Sequence, residues 1–166
     1  MTELPATRQL ALFDVGWPAA ERFPANSPFG TVREQVLSDL RASRRPLIVT
    51  GYTSLDVVVD FLADVGRGVG SLEGARILLG HEPLGAARPA YRLAGYRFEQ
   101  EVVKYWLDQG ISLHLSARVL LGLDLLRSGR VAARLSADPS RPVHAKIYKG
   151  DGAVTLGSSN FSHAGL

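Results

Sequence analysis

A histidine and a lysine lie two residues apart in the segment VHAKIY (143–148), which the sequence predicts to be a strand. Because side chains alternate across a strand, His144 and Lys146 are expected on one face, roughly 6.6 Å apart along it. This spacing would put an imidazole and an ammonium side by side at one surface of the sheet. The intervening residues would then face the core: Val143, Ala145 and Ile147.

A hairpin and a polar turn follow this segment. The turn KGDG (149–152) and the apolar run AVTLG (153–157) predict an antiparallel partner strand, and SSNFSHAGL (158–166) is predicted to begin a helix. Backbone N–H groups at such a helix start favour an anion. The side chains expected to add hydrogen bonds there are those of Ser158, Ser159 and Asn160.

A cation, an imidazole and an anion-binding turn that converge in this way would suit a phosphate diester. Its oxygens need positive charge and hydrogen-bond donors, and displacement at phosphorus needs a nucleophile that can also leave. Neutral imidazole is available for that role near neutral pH, and preorganised donors would stabilise the developing charge. No acidic cluster suited to Mg²⁺ lies nearby in the sequence, which favours metal-independent chemistry without a cofactor.

The elements that would position these residues alternate between strand and helix. Thr31 and Glu34 form a capping-box pair at the start of a helical pattern. This alternation predicts an α/β fold with a mixed, largely parallel sheet flanked by helices. The predicted strands are PLIVTG (46–51), ARILLG (75–80), ISLHLS (111–116) and RVAARLS (130–136). One helix is predicted to begin at Thr31, and three more are predicted over 54–66, 97–110 and 117–129.

The segment HAKIYKGDGAVTLGSSN (144–160) resembles the His-x-Lys, Asp and Gly-Ser-x-Asn signature of the phospholipase D superfamily. His144 matches the nucleophile of that family, Lys146 its phosphate-binding lysine and Asp151 its aspartate. Ser158 and Asn160 match the polar pair after the glycine. Five residues, not six, separate Asp151 from the glycine, and Asp151 lies within a KGDG turn, so we expect it to have a structural role.

The resemblance implies a phosphodiesterase that forms a phosphohistidine intermediate at a two-fold site. One histidine attacks phosphorus while a second protonates the leaving oxygen. Because this chain holds one motif, a complete site implies a homodimer or a second motif beyond Leu166. A carboxylate that orients the nucleophile is also expected beyond that residue. On this basis the site residues are His144, Lys146 and Asn160, with phosphate contacts from Lys146, Ser158, Ser159 and Asn160.

The wider chain is similar to the phospholipase-D-like domains at the N-terminus of certain bacterial superfamily 2 (SWI/SNF-like) helicases. The segments that carry this likeness are GYTSLDVVVDFL, ARILLG and GSSNFSHAGL. Residues 1–30, rich in Pro and Gly, are expected to be an irregular arm, and 31–166 the phospholipase-D-like domain. Because the predicted final helix has barely begun at Leu166, we expect this domain to continue in a longer, helicase-type protein.

Composition narrows the class of partner. Of the 166 residues, 19 are Lys or Arg and 16 are Asp or Glu, a mildly basic balance that permits a phosphate-bearing partner. There are no cysteines, which excludes disulfides and thiolate metal sites. The sequence has neither a secretory signal nor an apolar run of membrane-spanning length. We therefore expect a cytoplasmic nuclease that acts on nucleic acid, most simply DNA, and does not bind membranes.

Two alternatives remain open at this point. The site could bind phosphate or nucleic acid without cleaving it, or it could hydrolyse phospholipid, which the lack of amphipathic membrane-binding segments disfavours. Among the other histidines, His114 is expected to be structural on its strand and His163 to be exposed. His81 follows a strand end, where α/β sites often form, and is a weaker candidate for a neighbour of the site.

Overall fold

The computed structural model describes residues 30–67, 72–81, 98–136 and 141–166. The expected N-terminal arm (1–30), apart from Gly30, and the loop 81–90, apart from His81, lie outside these ranges. Four helices are present in the described part: α1 (Val32–Ala42), α2 (Leu55–Arg67), α3 (Phe98–Gln109) and α4 (Leu113–Arg127). Five strands accompany them: β1 (Leu47–Thr50), β2 (Ala75–Leu79), β3 (Val131–Leu135), β4 (Ile147–Lys149) and β5 (Val154–Leu156).

The five strands form one mixed sheet in the order β3-β2-β1-β4-β5. The pairs β1–β2 and β2–β3 are parallel, whereas β4 is antiparallel to both β1 and β5. The predicted α/β class with a mixed sheet and flanking helices is therefore confirmed. Because β4 pairs with β1, the β4–β5 hairpin extends the sheet directly from its first strand.

Local signals explain most of the element boundaries. The side chain of Thr31 accepts a hydrogen bond from Glu34 N–H, and the carboxylate of Glu34 accepts one from Thr31 N–H, so the predicted capping box begins α1. Gly110 has a φ of +76° and Gly129 a φ of +73°, and they follow the ends of α3 and α4 as predicted. The two residues need the left-handed backbone conformation that glycine adopts without steric cost.

The core lies between one face of the sheet and helices α1, α2 and α4. Aliphatic side chains from these helices pack against the apolar residues of the sheet, and two buried aromatic rings, Phe61 and Phe161, meet edge to face at 5.6 Å. Ion pairs join the outer surfaces of the helices: Arg41 contacts Asp64, and Arg118 lies 2.8 Å from Asp60.

The predicted strand 111–116 is wrong. Ser112 caps α4, since its hydroxyl accepts a hydrogen bond from Leu115 N–H at 3.1 Å, and the helix begins at Leu113. The alternating apolar residues of ISLHLS therefore lie mostly on the first turn of a helix, where His114 is exposed. A six-residue apolar alternation is too short to distinguish the two structures, and here a good N-cap decides for the helix.

The predicted hairpin is present, but its strands are shorter than expected. β4 begins at Ile147, so residues 143–146 approach the sheet as irregular chain and do not pair with it as a strand. The predicted helix after the hairpin is a single turn in which Ser162 makes the hydrogen bonds of an N-cap. Its hydroxyl accepts from Gly165 N–H at 3.1 Å, and its carbonyl accepts from Leu166 N–H at 3.0 Å.

Candidate functional site

Two glycines at the carboxyl ends of parallel strands create the space for the site. Gly51 follows β1 and Gly80 follows β2, and Gly80 N–H donates to Thr50 O at 2.9 Å. A methyl group built on Gly80 would overlap the carbonyl oxygen of Val143. The chain segment that carries His144 therefore crosses directly over these strand ends, the position where α/β folds usually bind ligands.

The imidazole of His144 lies over Gly51 and is exposed. A methyl group built on Gly51 would lie 2.9 Å from Cδ2 of this ring and 3.5 Å from Oδ1 of Asn160. The ring and the amide thus border the same small space above the end of β1. The motif groups these two residues, and the structure brings them together.

Lys146 contacts the backbone of this histidine. Its side chain is only 7% exposed, and its Nζ donates a hydrogen bond of 2.7 Å to the carbonyl oxygen of His144. An ammonium has three donors, so this bond leaves two for other acceptors. The prediction that Val143, Ala145 and Ile147 face the core is wrong, because Ala145 is exposed and the other two are half-buried. Irregular backbone before Ile147 breaks the simple alternation on which that prediction depended.

The turn that carries Asn160 is fastened to the residues after β1. Oδ1 of Asn160 accepts a hydrogen bond from Tyr52 N–H at 3.1 Å. The fully buried hydroxyl of Thr50 donates to Tyr52 O at 2.7 Å and accepts from Phe161 N–H at 3.0 Å, and the Thr53 hydroxyl donates to Phe161 O. These bonds satisfy buried polar groups on both segments and fix their separation.

Ser158 and Ser159 differ in their surroundings. Ser158 is exposed, whereas Ser159 is half-buried and its carbonyl oxygen accepts a hydrogen bond of 2.6 Å from the hydroxyl of Tyr148. Burial raises the pKa of Tyr148 to about 12, although a hydrogen bond with Thr50 acts in the opposite direction. Tyr148 therefore keeps its proton near neutral pH and donates it in the hydrogen bond that holds the turn at Ser159.

Asp151 lies at the opposite end of the hairpin from His144. Its carboxylate accepts hydrogen bonds from Arg44 N–H at 2.8 Å and Arg45 N–H at 3.3 Å, and its own N–H donates to the hydroxyl of Ser43. The bond from Arg44 is the largest cause that lowers the pKa of Asp151. The structure thus places Asp151 in a link between the hairpin turn and the α1–β1 loop, away from the other motif residues.

Two aromatic side chains lie at the site, Tyr52, which the sequence did not single out, and His81, which was only a weaker candidate. The ring of Tyr52 stacks on that of His81, with centroids 4.3 Å apart and planes 6° apart, and meets the His144 ring edge to face at 6.0 Å. Both residues come within two positions of a strand end and adjoin a glycine, Gly51 or Gly80. A residue beside a glycine at the carboxyl end of a parallel strand was the signal that could have identified the pair.

His163 lies apart from these residues. Its Nε2 is 2.9 Å from Oδ2 of Asp56, and Nη1 of Arg33 lies 3.4 Å from its Nδ1. Burial raises the pKa of Asp56, but the nearby Ser54 side chain, the Val57 N–H and His163 favour the charged carboxylate, and on balance the pKa of Asp56 is lowered. His163 also borders a cleft of roughly 140 Å³ between α1, α2 and α4.

Two comparisons with known protein sequences identify no family for this chain. A scan against protein-family models finds no model that matches this chain, and a search of curated protein sequences finds no significant match. Within the ranges that the structure describes, no group of three or more His, Asp or Glu side chains could hold a metal ion. No helix in those ranges is long and apolar enough to cross a membrane.

Proposed function

We propose that this chain is a phospholipase-D-type phosphodiesterase half-site, a nuclease in which His144 attacks phosphorus. The observation that carries the proposal is the exposed imidazole of His144, which borders the amide of Asn160. The ammonium of Lys146 donates a hydrogen bond to the backbone carbonyl of the same histidine. A nucleophile, an amide and a cation from two segments of the chain thus meet at one strand end. A phosphate there would receive positive charge and hydrogen bonds where charge develops.

The proposed reaction has two steps. A ring nitrogen of His144 forms a P–N bond as the P–O bond to the leaving group breaks, and the leaving oxygen takes a proton from a second imidazole. Water then attacks phosphorus, gives its proton to that second group and releases His144 as the P–N bond breaks. The amide N–H₂ of Asn160 and the ammonium of Lys146 stabilise the oxygens of phosphorus in both steps.

The second imidazole would come from a second copy of the chain or from a motif beyond Leu166. This requirement makes the proposal one of a half-site, completed by a homodimer or within a longer, helicase-type protein. Nucleic acid is the preferred substrate because the chain carries a net charge of +3, which favours a polyanion.

Replacing the nucleophile tests this function. His144→Ala should reduce cleavage of a radiolabelled DNA oligonucleotide at least ~10³-fold, because the covalent step needs the ring. The matched control is His114→Ala, which removes an exposed imidazole from the first turn of α4. Acid-labile phosphate on the wild-type protein after quenching is the second expected result. Cleavage by His144→Ala at the rate of the control would reject the mechanism.

One observation favours a second function, phosphate or nucleic-acid binding without cleavage. The Lys146 ammonium is buried and already bonded to a backbone carbonyl, an arrangement that also suits a purely structural lysine. In that case the protein would bind single-stranded or duplex DNA with an affinity that falls steeply with salt, and no product would form. Fluorescence anisotropy against salt concentration, followed by gel analysis of the same samples, separates the two functions.

A further inference from the structure

We propose that Tyr52 and His81 form a stacking surface for an unpaired nucleobase, which makes the substrate a single strand of nucleic acid. This inference rests on the proposed function, since it gives a substrate class to the same site. It starts from the parallel stack of the two rings, 4.3 Å apart, and from its position beside the ring of His144.

The pair is partly open to solvent, and its more exposed member is the tyrosine. Tyr52 is 46% exposed, and His81 is half-buried. By contrast, Phe61 and Phe161, which meet edge to face in the core, are only 2% and 1% exposed. A preformed aromatic surface that remains open to solvent beside a nucleophile is a feature of ligand recognition.

Tyr52 is also held rigidly by the site itself. Its N–H donates to the amide oxygen of Asn160, and its carbonyl accepts from the hydroxyl of Thr50. The residue is thereby fixed on both sides of its Cα by groups of the same site that is proposed to bind phosphate. A base stacked on its ring and a phosphate near Asn160 would be bound by one rigid unit, which lowers the entropy cost of binding.

The geometry selects a nucleotide over other phosphodiesters. The Tyr52 ring centroid is 6.0 Å from that of His144, so a phosphate attacked by His144 and a base on the same strand can contact the site together. Every base has a π face, so such stacking tolerates any sequence. A base inside a duplex is stacked on both faces and paired, so it must be unstacked and unpaired before it can contact Tyr52. A base in an unpaired strand avoids the free-energy cost of unpairing.

Binding measurements on uncleaved substrate test the inference without needing activity. In the His144→Ala background, a single-stranded DNA oligonucleotide that contains 2-aminopurine should be quenched on binding and should bind about 5- to 150-fold more tightly than an abasic strand of equal length and charge. Adding Tyr52→Ala should remove the quenching and bring the two affinities together, and Tyr52→Trp should retain both effects.

Controls separate loss of stacking from loss of fold. His114→Ala in the same background should bind both strands as the parent does, since that imidazole is exposed on α4. If Tyr52→Ala keeps the parent's preference for the base-containing strand, or if the parent has no such preference, the inference is overturned. If it weakens both strands equally, Tyr52 acts structurally, and the inference is overturned as well.

Two results would distinguish failure of the stacking proposal from failure of the proposed phosphodiesterase function. Cleavage that depends on His144 but ignores Tyr52 would leave the phosphodiesterase in place and reject the stacking surface. Quenching that depends on Tyr52, without any cleavage by the wild type, would support the stacking surface and assign the chain to the binding class.

Discussion

Adding one methyl group at Gly51 should displace the imidazole of His144 and leave the fold intact. The new Cβ of Gly51→Ala would lie 2.9 Å from Cδ2 of that ring and 3.4 Å from the Cα of the same residue. Carbon atoms in contact prefer about 3.5–4.0 Å, so the ring must move by at least about 0.6 Å. The nearby Cα prevents the backbone from absorbing the whole shift, and the exposed ring is the part that can move.

The expected effects on rate and stability differ in size. A misplacement of roughly 1 Å can cost about 10²-fold in rate, so kcat/KM for cleavage of bis(p-nitrophenyl) phosphate should fall by about that factor. The free energy of unfolding should change by about 1 kcal/mol or less, because the displaced ring faces solvent. For a chain of this length that corresponds to a Tm shift of about 2–4 °C.

Gly152→Ala is the matched control for this experiment. A methyl group there meets nothing within 4 Å, and Gly152 lies in the hairpin turn at the end remote from His144. Equal activity of the two variants would show that the His144 ring is not seated on Gly51, and the reasoning would fail. A large fall in Tm for Gly51→Ala would fail it too, since the cost would then lie in the fold.

Three further substitutions test contacts that hold the site in place. Asp151→Ala should lower Tm at pH 7 and by less at pH 3, because a carboxylate with a lowered pKa stabilises the fold above its unfolded pKa of about 3.9 and loses this effect as pH falls through the folded value; equal losses at both pH values would contradict this. Tyr148→Phe should cost about 1 kcal/mol in urea unfolding by leaving the Ser159 carbonyl unpaired. Because the pKa of Tyr148 is raised to about 12, wild type should also lose stability as pH rises from about 10 towards 12, and a variant with the same alkaline profile would refute this cause. Gly80→Ala should cost about 1–3 kcal/mol or more, since its Cβ would overlap the carbonyl oxygen of Val143, and an unchanged urea midpoint would disprove that contact.

Most of the fold follows from short, well-marked patterns. β1 is an apolar run between Pro46 and Gly51, and α1 begins at a capping box, so both could be located before the structure was known. The error at 111–116 arose because alternation over six residues fits a strand as well as the first turn of a capped helix. The sequence could not show that the hydroxyl oxygen of Ser112 would accept a hydrogen bond from Leu115 N–H and so cap α4.

The sequence indicated which residues of the candidate site lie together better than it indicated their geometry. The motif grouped His144, Lys146 and Asn160, and these residues lie together, but the regular alternation expected of the segment does not exist. That alternation fails because residues 143–146 cross the strand ends above Gly80, a tertiary contact over some 60 residues of sequence that no local pattern reports. The Tyr52–His81 stack depends on the same long-range arrangement of β1 and β2.

The order of the strands has a consequence for biosynthesis. β1 is flanked in the sheet by β2 on one side and by β4 on the other, and β4 is made about a hundred residues after β1. In a nascent chain, β1, β2 and β3 can therefore pair early while the other edge of β1 still lacks its partner β4. Unpaired strand edges attract other chains, so ribosome-bound intermediates of this protein should depend on chaperones until Ile147–Lys149 emerges.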